Sequence, residues 1–286
     1  MRVLGLLSGG KDSVYSLMCA VRAGHTLVGV AHIAAQHAGT EVDSYMYQTV
    51  GSEAAAGVAE CLGVPFFAAV RTGDAQTQAL EYGAAAVPGD EVETMHALLC
   101  AVRDRHGVAF DAVVSGAILS TYQKTRVESV CARLGVASLA PLWQRDQAEL
   151  LAAMVRDGLV AVLVKVACLG LDARHLGLTL AQAQPHLTKL VCGLPFFFSF
   201  FVSLFSVYVC VSPVCHLCVQ SAKYGTNVCG EGGEYESLVL DCPLFKKRLV
   251  LFAERVLVSL VHMCFLMLLL LLLLLLLLLC VCVNVQ

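Results

Sequence analysis

The sequence predicts an α/β fold, a mostly parallel sheet with helices on both faces, followed by a small C-terminal section. Three observations carry that prediction. Residues 1–190 alternate short β-rich runs with longer amphipathic stretches, the order of a layered α/β domain. Most of the β-rich runs lack polar alternation, as strands buried on both faces do. A glycine follows each helical run, at Gly24, Gly63, Gly107, Gly135 and Gly158, where helix C-termini favour it.

In chain order, the first strand is Arg2–Leu7, an apolar run that stops at Ser8-Gly9-Gly10, and helix Asp12–Ala23 follows. Strand Leu27–His32 leads to helix Ser52–Leu62, and strand Pro65–Arg71 leads to helix Glu91–Asp104, which Gly89-Asp90 precede. Strand Ala112–Gly116 is followed by helix Thr125–Leu134, strand Ser138–Leu142 by helix Gln147–Asp157, and strand Val160–Val166 closes the series. Ligands of such sheets bind at the carboxyl ends of the strands, so the loops there hold the candidate site.

The 286 residues suffice for one large α/β domain or two small ones. The net charge of −3 offers no field for nucleic acid or an anionic surface, so no direct nucleic-acid partner is expected. A hydrophobic content of 58% with 14% charged residues and a mean hydropathy of +0.75 would suggest a membrane protein on average. The deficit is local: every charged side chain lies within 1–189 or 223–255. Half of the 14 cysteines also fall in the two apolar stretches, and the rest are scattered. No secretion signal is expected, so the thiols read as reduced and the setting as cytoplasmic. Cys215-His-Leu-Cys218 has no second ligand pair and does not predict a zinc site.

The loop Ser8-Gly9-Gly10-Lys11-Asp12-Ser13 carries the strongest signal. Two glycines permit a tight turn and close approach to a ligand. The N–H groups of the helix's first turn then face an anion with the positive end of the dipole, and Ser8 and Ser13 add hydroxyls. The spacing is neither the G-x-x-x-x-G-K-[ST] loop nor G-x-G-x-x-G. Asp12 as a helix N-cap is the plainer reading, compatible with an anion site.

That motif resembles the pyrophosphate-binding loop of the PP-loop ATP pyrophosphatases, the adenine nucleotide α-hydrolase superfamily with its Rossmann-like HUP-type sheet. Further stretches resemble the diphthine–ammonia ligase family: Glu41 to Gly51, Gly89 to Glu93, Gly116-Ala-Ile-Leu-Ser120, Tyr122-Gln, Arg126-Val-Glu, Leu142-Trp-Gln-Arg145, Lys165-Val-Ala, Gly170-Leu-Asp172, and Cys229-Gly-Glu-Gly-Gly-Glu-Tyr-Glu236 through Lys247. The resemblance implies amidation of the diphthine carboxylate on elongation factor 2 with ammonium. ATP is the co-substrate, Mg²⁺ its metal, an acyl-adenylate the intermediate, and AMP and pyrophosphate the by-products.

By the same resemblance, Ser8, Gly9, Gly10, Lys11, Asp12 and Ser13 hold the phosphates, with Asp12 also catalytic and a Mg²⁺ ligand. His32 and Gly116 border the nucleotide, although the His32 side chain reads as packed rather than catalytic, and Gly116 reads equally as a plain strand-end glycine. Asp43, Tyr45, Tyr47 and Gln48 form a polar aromatic stretch suited to the trimethylammonium group of diphthine. Glu231, Glu234, Tyr235 and Glu236 lie on a glycine-flexed acidic loop that could bind that cation, hold Mg²⁺ or attract ammonium. Glu231 and Glu234 are the catalytic candidates there. Glu91 and Glu93 read as helix N-terminal charges or a substrate contact, and Asp90 as a cap.

The expected boundaries are a PP-loop domain at 1–190, an apolar insert at 191–221, a continuation of the ligase domain at 222–255 and a leucine-rich tail at 256–286. Residues 191–219 and 256–283 are long enough to span a bilayer. A crossing at 191–219 would separate Cys229–Glu236 from Ser8–Ser13, so a membrane partner is not expected. A retained intron or gene-prediction error accounts for the insert better. The rival readings are another PP-loop adenylating ligase or tRNA thiolase, or an inactive or membrane-tethered aberrant isoform. Thiolation calls for sulfur-carrying cysteines that the scattered thiols do not supply.

Overall fold

Strands with no polar alternation must be covered on both faces, and the main sheet is. In the computed structural model, which describes residues 1–35, 54–77, 79, 82, 83, 86–168, 170–190 and 227–251, five strands lie parallel. They are β1 (Arg2–Leu6), β2 (Thr26–Ala34), β3 (Phe66–Val70), β4 (Ala112–Val114) and β5 (Ala137–Leu139), in the order β3-β2-β1-β4-β5. The expectations for Asp43, Tyr45, Tyr47 and Gln48, for the insert at 191–221 and for the tail at 256–286 lie outside the described residues. The described residues belong to one compact unit, Met1–Phe252.

Helices α1 (Lys11–Arg22), α2 (Ala55–Leu62) and α5 (Gln147–Arg156) bury Leu17, Met18, Val58, Leu150 and Met154 in one core with Val3, Val30 and Val114. Helices α3 (Glu91–Asp104) and α4 (Thr121–Leu134) bury Met95, Leu99, Val127 and Val130 in a second core with Leu4, Ala31 and Val113. Successive strand residues thus serve opposite layers, as the two-residue period requires. Each such aliphatic side chain contributes roughly 1.5–3 kcal/mol by leaving water.

Helix starts follow local chemistry. Asp90 caps α3 by accepting from the Val92 N–H at 2.9 Å, as expected of it. Ser120 caps α4 at the Gln123 N–H, so this helix begins at Thr121, four residues ahead of the predicted start. The N-cap of α1 is Gly10 with no side-chain cap, which removes Asp12 from that role and places it in the first turn.

The sixth predicted strand, β6 (Val160–Val166), does not join the parallel sheet. It pairs antiparallel with β7 (Tyr235–Asp241) in a separate two-stranded sheet. Tyr235 and Glu236, read from sequence as part of an acidic loop, are the first residues of β7. The neighbouring glycines concealed the strand: Tyr-Glu-Ser-Leu-Val-Leu-Asp has its pairing partner about seventy residues upstream, and its Leu238 and Val239 are buried in the core shared with α1, neither of which is a local signal. Residues 180–190 are helical. Among the described residues the cysteines form no disulfide, and no helix is long and apolar enough to cross a membrane.

Candidate functional site

The order of the parallel sheet reverses between β1 and β4, whose following loops diverge to opposite faces and leave a crevice at their carboxyl ends. The loop after β1 is drawn tight by its own side chains. The Ser8 hydroxyl donates to Ser13 Oγ (3.1 Å) and accepts from the Gly10 N–H (3.2 Å), and Ser13 Oγ donates to the Gly10 carbonyl (2.9 Å). Gly9 turns the chain at φ 91°, in the left-handed region that side chains avoid. The N-terminus of α1 is thereby aimed at the crevice with its dipole.

Opposite lies the β4–α4 loop. A Cβ on Gly116 would stand 2.8 Å from the Asp12 carbonyl carbon and 2.9 Å from the Ser13 nitrogen, so only glycine lets this loop seat on the first turn of α1.

A third segment, residues 227–234, runs across from beyond the sheet. Its turns close through Gly230 N–H to Asn227 O (2.8 Å) and Gly233 N–H to Gly230 O (3.0 Å). Glu234 spends both carboxylate oxygens on this segment, accepting from the N–H groups of Asn227 and Gly232 at 2.8 Å each. The strap is anchored at three strand-end loops. Glu231 Oε1 accepts the N–H groups of Ile118 (3.1 Å), Leu119 (2.9 Å) and Ser120 (3.0 Å) beyond β4. Gln147, at the start of α5, donates to Asn227 Oδ1 (2.8 Å) and accepts the Cys229 N–H (3.1 Å). Lys11 donates its ammonium to the Cys229 carbonyl beyond β1. Strand β7 then supports the first loop, through Val239 N–H to Gly9 O (3.0 Å) and Lys11 N–H to Ser237 Oγ (3.2 Å).

Charge is concentrated here. Lys11 is buried, with 3% of its surface accessible; its ammonium lies 2.8 Å from Asp12 Oδ2 and 5.1 Å from the centre of the Tyr235 ring. Burial alone would lower its pKa, but the Asp12 charge, with Tyr235 and Cys229, holds it well above the ordinary lysine value. Burial raises the Asp12 carboxyl, and Lys11 opposes that shift. Burial also raises Glu231, the Asp12 charge adds to it, and the three amide donors counter both. Tyr235 donates to the Val228 carbonyl (2.8 Å), and burial pushes its hydroxyl up. The Cys229 thiol is pushed up to about 12 by burial, which favours its protonated form.

The structure brings Ser8, Gly9, Gly10, Lys11, Asp12, Ser13, Gly116, Glu231, Glu234 and Tyr235 together around the crevice. Glu236 stands apart from the strap's carboxylates, 3.4 Å from Lys165 across the β6–β7 ladder. His32 is buried; its Nδ1 lies 2.7 Å from the Leu7 carbonyl, and burial lowers its pKa, so the neutral ring donates there. Glu91 is fully buried against Arg71 (3.0 Å), and Glu93 pairs with Arg133, so both serve the fold beneath α3 rather than an open surface. Sequence reasoning missed Gln147, Ser237 and the amide row at 118–120. Gly116-Ala-Ile-Leu-Ser120 was visible as a motif, but its chemistry is carried by backbone groups, which residue types do not announce.

Residues 1–138 match the diphthamide synthase N-terminal domain, and residues 209–263 match the diphthamide synthase C-terminal domain. A diphthine–ammonia ligase of Danio rerio is 43% identical over 261 residues, covering 90% of this chain and 89% of its own. The chain belongs to the diphthine–ammonia ligase family. The Homo sapiens relative of the same name is 41% identical over 262 residues, covering 90% of this chain and 85% of its own. That of Schizosaccharomyces pombe is 43% identical over 256 residues, covering 90% of this chain but 37% of its own. A solved structure, described as a predicted subunit of tRNA methyltransferase from Methanocaldococcus jannaschii DSM, overlaps at a TM-score of 0.33 with 17% identity, over 57% of this chain and 80% of that one. The crevice lies where the two family-matched stretches meet: the N-terminal match carries the Ser8–Ser13 loop and the 118–120 amides, and the C-terminal match carries the strap.

Proposed function

We propose that the chain amidates the diphthine carboxylate of elongation factor 2 with ammonium at the expense of ATP, releasing AMP and pyrophosphate in the cytoplasm. The observation that carries this reading is the three-sided crevice at the switch point. An anion-seeking helix N-terminus and two carboxylates converge there, Asp12 in the first turn of that helix and Glu231 held by the backbone N–H groups of 118–120.

A carboxylate resists attack by an amine because it is anionic and its oxygen leaves poorly. Transfer of AMP to that oxygen forms an acyl-adenylate and expels pyrophosphate. Ammonia then attacks the carbonyl carbon, and AMP leaves. The N-terminal turn of α1, with Ser8, Gly9, Gly10 and Ser13, holds the phosphates and stabilises charge on the departing pyrophosphate. The donor set also suits Mg²⁺, which takes few protein oxygens and keeps water and phosphate as its other ligands. Asp12, at 28% exposure, is the carboxylate that reaches it. Bound there, the ion would neutralise phosphate charge. The three amide bonds to Glu231 all fall on one of its oxygens; burial and Asp12 raise its carboxyl, which suits it to take the proton that ammonium must lose. Glu234 shapes the strap, and Tyr235 supports Lys11. Gly116 and the backbone near His32 border the adenine side. Asp43, Tyr45, Tyr47 and Gln48 supply the aromatic and acidic surface for the diphthine cation, and Glu236 belongs to the ladder that carries the strap.

The test is AMP release from ATP with ammonium and diphthine-bearing elongation factor 2. AMP and diphthamide are expected in equal amounts, each dependent on both co-substrates. AMP formed just as fast without diphthine, or ATP split to ADP instead, would overturn the reading.

A further inference from the structure

We infer that Lys11 is a positioning residue, a buried strut that sets the 227–234 strap over the crevice, and not a phosphate contact. The inference rests on the nucleotide-site reading above and concerns a side chain that the family resemblance assigned to the phosphates.

Three partners already surround the Lys11 ammonium: the Asp12 carboxylate, the Cys229 carbonyl and the face of Tyr235. An ammonium has three donors and no more. With 3% of the residue accessible, none of them is turned to the crevice. The Cys229 carbonyl and the Tyr235 ring both belong to the strap or its continuation into β7, so the ammonium ties that segment to the first turn of α1. Between those two contacts the same strap places Glu231 on the amides of Ile118, Leu119 and Ser120. Lys11 therefore acts on the β4 side of the crevice through Glu231, from the β1 side, and its own Nζ touches neither nucleotide nor carboxylate substrate.

A strut and a phosphate contact respond in opposite ways. In the full chain, Lys11→Met should leave the Kd for ATP within about threefold of wild type. It should lower kcat for diphthamide formation ~100-fold, the scale of a misplacement near 1 Å. Amide hydrogen exchange in residues 227–234 should accelerate. Lys11→Arg should not restore kcat, because a planar guanidinium does not fill a cavity shaped around a compact ammonium. An ATP affinity weakened about thirtyfold or more, unchanged exchange in the strap, or restoration by arginine would each overturn the inference.

Amine labelling of the wild-type chain, read by mass spectrometry, decides the matter even if the variants fail to fold. Lys11 should stay unmodified in the native state with or without ATP; a reactive Lys11 that ATP protects would refute the strut. Should wild-type chain bind no ATP at all, the nucleotide reading fails, while hydrogen exchange in the strap still tests the strut on its own.

Discussion

Arg71 and Glu91 form an ion pair with both side chains taken almost wholly from water, at 7% and 0% exposure, and the Tyr122 hydroxyl stands 3.4 Å from the same carboxylate. Desolvating two charges is costly, and the pair holds only because each compensates the other. Glu91→Gln is therefore expected to destabilise the fold by about 3–5 kcal/mol, leaving the Arg71 guanidinium buried with the exposed Asp74 as its remaining carboxylate. Replacing both by apolar residues of similar volume, Arg71→Met with Glu91→Leu, should cost less than the single change. Urea unfolding of the single and double variants measures both; a double variant less stable than Glu91→Gln would show that the pair contributes net stability. Glu91 also shows what residue-level reading misses. Its place after Gly89-Asp90 marks a helix start, and Asp90 fulfils the cap expected of it, but burial against Arg71 is set by β3 and lies outside any local pattern.

Among the elements, the approach of the β4–α4 loop to α1 decides whether the crevice exists. Gly116→Ala would drive a methyl group into backbone at 2.8–2.9 Å, where no flexible side chain can give way. The loop must retreat, and with it the amides that hold Glu231. Overpacking of this kind costs typically 1–3 kcal/mol. A fall in kcat of ~100-fold with a smaller change in thermal midpoint is expected, since a shift near 1 Å at a positioned group has that effect. Equal kcat in Gly116→Ala and wild type would dissociate the loop from catalysis. Elements whose signals are local were legible in sequence: α3 and β6 have the predicted bounds, and the Ser8–Ser13 loop and Gly116 were found by their residues. What was not legible depends on pairing at a distance. The antiparallel partner of β6 lies beyond residue 190, and the amide row at 118–120 has no side-chain signature.

At the scale of the whole molecule, the chain on either side of residues 191–226 shares one fold. Strand β6 pairs with β7, Val239 donates to Gly9, and Gln147 donates to Asn227, so the parts before and after this stretch lie on the same side of any bilayer. We expect that residues 191–220, which contain no formal charge, add nothing that the fold requires. Deleting them shortens the connection between Leu190 and Asn227 to residues 221–226. Loop-closure entropy alone would then favour the folded state by about 1.6 kcal/mol, from the logarithm of a roughly sixfold change in loop length. Removing an uncharged apolar run from the unfolded chain also lowers its tendency to aggregate. The deletion variant should therefore give a higher yield of folded protein, an equal or higher thermal midpoint, and AMP release still coupled to diphthamide. Activity confined to the full-length chain and recovered with membranes would mean that the apolar stretch takes part in the native assembly. In that case the single-domain account of the crevice would have to be rebuilt around it.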